Sequence, residues 1–590
     1  MSRWMVSRNP MVSMAQLYHA GHSSFCNFFA AVEFHPPLFD SLARAQYSDG
    51  LMKIVVADKI SDRGIELLRE AGWIVVHPAK VELEVSLADA DALIVRSATR
   101  VTEELLERAL LLRVVGRAGT GVDNIDVDAA TRRGVLVMNT PGGNAVSVAE
   151  HTLALLLALA RSIPQFSASV RDGRWEKSGS GSIPIGIEVR GKTLGLAGLG
   201  RVGSEVARRA RALEMTVLAY DPYISPKTAR DVGAELVSFE ELLRRSDFVS
   251  LHMTFSPATQ HLFDAQAFAQ MKRGARLINT ARGELVDEAA LSAALSSGQL
   301  AGAALDVFAD EPPKNSPLTR LPNVIATPHV AASTPEAQEE VGTLIAQQVR
   351  DFLAEGVLRN AVNLPTLSAE QYRRLRPYLD LAERLGAFAA QMAPGRIGRV
   401  RVCYSGELVE MPAHLLRNAV LIGVLNCVLE NKVNLVSAGS VAAARGLTVE
   451  ECTRRSEQGF PNTLEVCVAS PNATDGNERT AEGTVLYGTL LRILSLDGIP
   501  LEAPLAGTLL FTRNRDVPGV IGQMGTVLGG RGINIATFAL GRRSEYQHGS
   551  PGEALAVVRL DGEVPSNVTE AIRGISAVIE ARLIRLPNES

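Results

Sequence analysis

Apolar positions along the chain recur as short unbroken runs, each followed by a turn and then by a longer stretch in which apolar residues fall three and four apart. The runs within Met52–Asp58 and at Trp73–Val76, Ala92–Val95, Val114–Gly116 and Val135–Met138 follow this rhythm, with helical spacing over Ser61–Glu70 and Val146–Arg161. Unbroken apolar runs, rather than alternating ones, predict strands covered on both faces, as in parallel sheets flanked by helices. The cycle continues through Thr193–Ala197, Thr216–Tyr220, Phe248–His252, Arg276–Asn279, Ala303–Val307 and Val324–Ala326. The fold class expected is α/β, with two doubly wound parallel-sheet domains in succession.

A helix over Val341–Leu353 leads to Asn363-Leu364-Pro365, and the rhythm then changes. Two long helical stretches, Pro377–Met392 and Ala413–Leu429, stand among strand candidates at Arg399–Tyr404, Leu464–Ala469 and Thr489–Leu496. That mixture predicts an α+β domain. From Gly507 the order is strand Thr508–Thr512, helix Pro518–Leu528, strands Ile533–Leu540 and Ala554–Leu560, helix Val568–Arg573 and strand Val578–Ile584. This β-α-β-β-α-β order is ferredoxin-like. The boundaries expected are an extension over 1–51, a discontinuous domain of 52–145 with 329–364, a second domain over 146–328, a third over 366–505 and a last over 507–590.

A chain of 590 residues is too long for one core, so each function must be assigned to its own domain. A net charge of −4 and a pI near 6.3 leave no basic footprint for nucleic acid or an anionic membrane surface. The run Leu153–Ala160 is far too short to span a bilayer and reads as a buried helix. Five cysteines, Cys26, Cys403, Cys427, Cys452 and Cys467, include no C-x-x-C pair and are odd in number, which argues against a zinc site and against a disulfide framework. A cytoplasmic protein is expected, with an organellar presequence in 1–51 left open because Arg3 and Arg8 precede the first acid, Glu33.

The candidate chemistry begins at Gly198-Leu199-Gly200-Arg201-Val202-Gly203, between the strand Thr193–Ala197 and a helical stretch. G-x-G-x-x-G in that context lets the chain turn tightly, brings bare backbone up to a pyrophosphate and packs helix against strand. The helix adds free N–H groups and a positive dipole end. Asp221, at the tip of the next strand, suits a ribose 2′-hydroxyl and would repel a 2′-phosphate, which favours NAD.

Three later strand ends carry ionisable residues: Arg282 in Asn279–Gly283, Glu311 in Asp306–Pro312, and His329 in Thr327–Ala331. Hydride transfer from a hydroxy acid needs a proton acceptor and a cation for the carboxylate, while the nicotinamide carries the hydride. His329 has the ordinary pKa for a base, Glu311 could orient and stabilise it, and Arg282 offers a planar fork. Arg96, Ser97 and Thr120 stand after earlier strands, where a small anion could bind.

These motifs, with Val95–Thr99, Gly116–Asn124, Asn139–Asn144 and His329–Thr334, resemble the long-form D-3-phosphoglycerate dehydrogenases within the D-isomer-specific 2-hydroxyacid dehydrogenase family. The resemblance implies that Arg282, Glu311 and His329 are catalytic. It implies that Thr120, Gly198, Gly200, Arg201, Val202, Gly203, Asp221, Thr280, Ala281 and Asp306 hold NAD, and that Arg96, Ser97, Asn144 and Lys177 lie by the substrate, 3-phosphoglycerate. Lys177 replaces the family's arginine, keeping the charge and losing the fork. The region 366–505 resembles the family's intervening domain and 507–590 an ACT domain, with Asn514, Asp516 and Asn534 at the positions that take an L-serine effector. A homodimer or homotetramer follows from the same likeness, and no metal is expected because the Cys and His residues lack ligand spacing. A reductase of hydroxypyruvate, glyoxylate or 2-oxoglutarate, or an NAD-sensing scaffold without turnover, is the alternative.

Overall fold

The computed structural model describes residues 51–587, apart from 176–184, 430–431, 455–459, 472–477, 544–551, 563 and 566. The first sheet contains β1 (Lys53–Val56), β2 (Ile74–Val76), β3 (Ala92–Val95), β4 (Val114–Arg117) and β5 (Leu136–Met138), all parallel, in the order β2-β1-β3-β4-β5. All four residues of β3 are buried, as a strand covered on both faces requires. The helix Ala145–Arg161 leads out of this sheet.

The second sheet contains β6 (Thr193–Ala197), β7 (Thr216–Tyr220), β8 (Glu235–Leu236), β9 (Phe248–Leu251), β10 (Ala275–Asn279), β11 (Leu300–Leu305) and β12 (Val324–Ala326). Its order is β12-β11-β10-β9-β6-β7-β8, again all parallel, so the strand order reverses direction between β6 and β9. That reversal opens the crevice in which doubly wound sheets bind dinucleotides. The chain then returns to the first sheet through the helix Pro335–Glu355, capped by Thr334 at its start and ended by Gly356 in the left-handed conformation. Its residues Ile345 and Val349 are fully buried against the first sheet.

A third sheet joins β13 (Arg399–Tyr404), β14 (Thr448–Thr453), β15 (Leu464–Ala469), β16 (Arg479–Leu486), β17 (Leu490–Leu496) and β18 (Ile499–Pro504) in the order β14-β13-β15-β16-β17-β18. The helix Ala369–Met392 crosses it, begun by a complete capping box of Ser368 and Gln371. The last sheet is antiparallel, with β19 (Thr508–Arg515), β20 (Ile535–Arg542), β21 (Glu553–Leu560) and β22 (Val578–Arg585) in the order β20-β21-β19-β22. One face of this sheet is covered by its own helices Val520–Gly529 and Val568–Arg573. Leu509, Phe511, Val557 and Ile584 on the other face enter the core of the preceding domain. Arg384 donates to the carbonyl of Pro587 at 2.7 Å, and an ion network of Arg479, Asp497, Arg513 and Glu580 closes the rim.

Two expectations are corrected. Cys403 and Cys452 stand directly opposite each other in the parallel register of β13 and β14 and are paired as a disulfide, with Cα atoms 4.5 Å apart. Strand register, which an odd cysteine count does not reveal, brings them together. The helix expected from Pro377 begins earlier, at Ala369, with Pro377 inside it. Among the described residues no single helix is long and apolar enough to cross a membrane.

Phe511 is fully buried in the core that both C-terminal domains share. Phe511→Ala should therefore destabilise the pair by about 3–5 kcal/mol. Hydrogen exchange should show β13 and β19 losing protection together. Protection kept in β13 while the last sheet opens would contradict a common core.

Candidate functional site

The glycine turn has the geometry that its spacing suggested. Gly198 adopts φ +98°, and a Cβ there would lie 2.7 Å from the backbone carbon of His252. A Cβ on Gly203 would lie 2.3 Å from the Gly198 carbonyl oxygen, so this glycine lets the helix Arg201–Ala212 close onto the strand. Gly200 is different: a Cβ on it would meet no protein atom within 4 Å. The chain's own packing does not require that glycine, whereas a pyrophosphate approaching the helix start does. The Asp221 carboxylate accepts from the N–H of Leu199 and of Tyr223, each at 2.9 Å, and so ties the turn to the end of β7 while keeping lone pairs for a ribose. These residues fit a dinucleotide. Val202 packs into the core beneath, and Arg201 reaches across to the Pro141 carbonyl on the loop that leads to Asn144.

Beyond β10, the buried side chain of Asn279 accepts from Ala281 N–H and donates to the Arg282 carbonyl at 2.8 Å, which shapes the turn. Gly283 is indispensable to it, because a Cβ would lie 1.9 Å from the Phe308 backbone. The Arg282 loop is thereby pressed against the loop that carries Glu311. The Arg282 guanidinium is held by the Ala281 carbonyl at 2.6 Å and by Asp123 at 3.0 Å. Thr280 is buried, hydrogen-bonded to Thr152 at 2.8 Å, and Ala281 is half-buried beside it.

His329 has φ +54°, a strained value for a residue with a side chain. Asp306 holds it there. The His329 N–H donates to the Asp306 carbonyl at 2.8 Å, while the Asp306 carboxylate accepts from Thr327 Oγ1 and from the N–H groups of Val330 and Ala331 at 2.6, 3.0 and 2.9 Å. Asp306 was expected to face the cofactor. The structure buries it at 1% exposure, with its oxygens toward this loop and His151. Burial raises its pKa, but the bonds from His151, Thr327, Val330 and Ala331 outweigh that and hold it far below the usual carboxylate range.

Thus fixed, His329 Nδ1 lies 2.8 Å from Glu311 Oε2, and Glu311 Oε1 accepts from Phe308 N–H at 3.2 Å. The hydrogen bond to Glu311 raises the His329 pKa above 6.5, against burial and the positive charge of Arg282. Glu311 is pushed up by burial, yet the bond and charge of His329 leave it below its ordinary 4.5. His252, by contrast, is pushed down to about 3 by burial and stays neutral. A half-exposed imidazole backed by a carboxylate, with an arginine nearby, can take a proton from a hydroxyl.

Sequence reasoning missed Arg117. It is largely buried at the end of β4, with its Nε unpartnered, and burial pushes its pKa down to about 10, with further lowering by Arg282 and Arg96. Arg282 and Arg96 thus both lie within electrostatic reach of Arg117, with Asp58 and Asp123 as the opposing charges. The signal in the sequence was only an arginine at a strand end.

The NAD-binding-domain model of the D-isomer specific 2-hydroxyacid dehydrogenases matches residues 153–331, and the D-3-phosphoglycerate dehydrogenase intervening-domain model matches residues 374–497. The D-3-phosphoglycerate dehydrogenase of Methanocaldococcus jannaschii is 41% identical over 539 residues, covering 91% of this chain and 100% of that one. That of Archaeoglobus fulgidus is 42% identical over 540 residues, with the same shares. The chain belongs to the D-3-phosphoglycerate dehydrogenase family. A solved protein of Thermus thermophilus is 38% identical, covers 53% of this chain and 100% of its own, and has a TM-score of 0.48.

Of the other positions carried over from the family, Thr120 Oγ1 donates to Asn144 Oδ1 at 3.0 Å, joining the loops after β4 and β5. Arg96 and Ser97 follow β3, half-buried and exposed. Lys177 lies outside the described residues. In the last domain Asn514 is buried and donates to its neighbour's carbonyl, Asp516 faces Arg542 at 3.6 Å, and Asn534 donates to Asp561 at 2.7 Å. No hydrogen bond joins these three to one another among the described residues. No cluster of three or more metal-ligating side chains occurs among them either.

The His329–Glu311 pair fixes a pH dependence. A histidine with a raised folded pKa adds stability in full below the unfolded value near 6.5, and that contribution is lost as pH rises through the folded value. Glu311, lowered, adds stability above 4.5 and loses it as pH falls through its folded value. Oxidation of a hydroxyl needs neutral His329, so the acid limb of kcat/KM should lie above pH 6.5. Glu311→Gln removes the largest raising cause and should move that limb to lower pH. A limb that stays in place would show that His329 is not the titrating base.

Proposed function

We propose that the chain oxidises 3-phospho-D-glycerate to 3-phosphooxypyruvate with NAD, the first step of L-serine formation. The observation that carries this is the acid–base pair of His329 and Glu311 with Arg282 within its electrostatic reach, together with Arg96 and Arg117 at the ends of the adjacent strands β3 and β4. The family to which the chain belongs supports it. A substrate with a carboxylate at one end and a phosphate at the other suits a crevice that carries more than one guanidinium.

NAD, when bound, would supply the hydride acceptor. Gly198, Gly200, Gly203, Arg201 and Asp221 would hold the dinucleotide. Arg282 grips the carboxylate and the oxygen that becomes a carbonyl. His329 removes the hydroxyl proton on its Nε2, because Nδ1 is engaged with Glu311. Glu311 then stabilises the imidazolium by charge and hydrogen bond. Arg96 and Arg117, with Ser97 and Lys177, take the phosphate. Within the same proposal the last domain is a sensor of L-serine, with Asn514, Asp516 and Asn534 completed by a second copy in a homodimer or homotetramer.

His329→Ala should lower turnover by about two to four orders of magnitude, with NAD affinity, followed by quenching of intrinsic fluorescence, little changed. Turnover like that of the parent would sink the assignment. A panel of 2-hydroxy and 2-oxo acids separates this function from the reductases of hydroxypyruvate, glyoxylate and 2-oxoglutarate. For the sensor, millimolar L-serine should slow oxidation or raise the melting temperature, and no change in either would remove it.

A further inference from the structure

Asp58, just past the carboxyl end of β1, has no part in hydride or proton transfer and is 9% exposed. Its Oδ2 accepts from the N–H of Arg96 at 2.6 Å and of Thr99 at 3.1 Å, and its Oδ1 accepts from Thr99 Oγ1 at 2.8 Å. From the other side Asn124 Nδ2 donates to the carbonyls of Arg96 at 2.7 Å and Thr99 at 2.6 Å. Asn124 is itself fixed, since its carbonyl accepts from Val101 N–H at 2.8 Å. The turn Arg96–Thr99 is therefore gripped at both ends and through both kinds of backbone group, by donors on one side and acceptors on the other. The Arg96 guanidinium also donates to the carbonyl of Lys59 at 3.3 Å, so the turn that carries Asp58 sets side chain and backbone together.

We propose that Asp58 and Asn124 are positioning residues that give the site its preference for a phosphorylated hydroxy acid by fixing Arg96. The inference rests on Arg96 as a ligand of the phosphate end. A guanidinium binds phosphate best through two parallel hydrogen bonds, and small displacements break that geometry. An arginine on a free loop would also lose backbone entropy on binding. The clamp removes that loss beforehand. Asp58 brings a negative charge close to a phosphate pocket, but its lone pairs face three donors of the turn, which blunts repulsion.

The test compares kcat/KM for 3-phospho-D-glycerate with kcat/KM for unphosphorylated D-glycerate. In Asp58→Asn and Asn124→Ala the ratio should fall about tenfold or more, the scale of one lost charge-assisted hydrogen bond. In an Arg96→Ala background, adding Asp58→Asn should lower the ratio no further, because there is no guanidinium left to position. A tie that serves only folding would depress both substrates in parallel, and an unchanged ratio overturns the inference. So does an equal further fall in the Arg96→Ala background. Should Asp58→Asn fail to fold by its melting curve, Asn124→Ala carries the same comparison. A parent enzyme indifferent to phosphorylation would overturn the reading of Arg96 beneath the inference, a result separate from any in the variants.

Discussion

A buried carboxylate is tolerated only when donors surround it, and Asp306 satisfies that condition with donors drawn from two segments. Thr327, Val330 and Ala331 come from the chain returning to the first sheet, His151 from the helix Ala145–Arg161, and Asp306 itself from the end of β11. Those are the two crossings between the parallel-sheet domains and the strand they frame. The backbone of His329 keeps an uncommon left-handed conformation because this carboxylate holds the residues after it. The orientation of the base, its approach to Glu311 and the position of the crossings all depend on one desolvated charge.

The first two sheets were legible because their strands are buried on both faces. An unbroken apolar run such as Ala92–Val95 admits few other readings, and the glycine turn, His329, Glu311 and Arg282 each stood at the end of such a run. Strand β14, Thr448–Thr453, reads as polar because it is an edge with half-exposed residues, and the helix Ile163–Arg171 leaves Ile163 and Val170 exposed. Neither pattern gives a sharp period.

Residues that act through hydrogen bonds across distant segments were the least legible. Asp58 lies 38 positions from Arg96, and nothing between them in the sequence marks the pairing. Asp306 stands in a motif that suggested a cofactor contact, and only the fold shows its oxygens turned inward. Cys403 and Cys452 needed the register of two parallel strands. Spacing reports what neighbours along a helix or strand can do, whereas these groups meet through topology.

The face of the last sheet that packs into the preceding domain has a kinetic meaning. The hydrogen bond from Arg384 to Pro587 spans 203 positions, and Phe511 and Ile584 fill space beside the helix Ala369–Met392. During synthesis that helix and the third sheet leave the ribosome with part of their apolar surface uncovered, and it stays so until β19 and β22 arrive. Contacts of such long separation close slowly and late. The C-terminal half is thus a unit in which the first part to be made waits for the last, and the interval between them is when this chain is most open to aggregation.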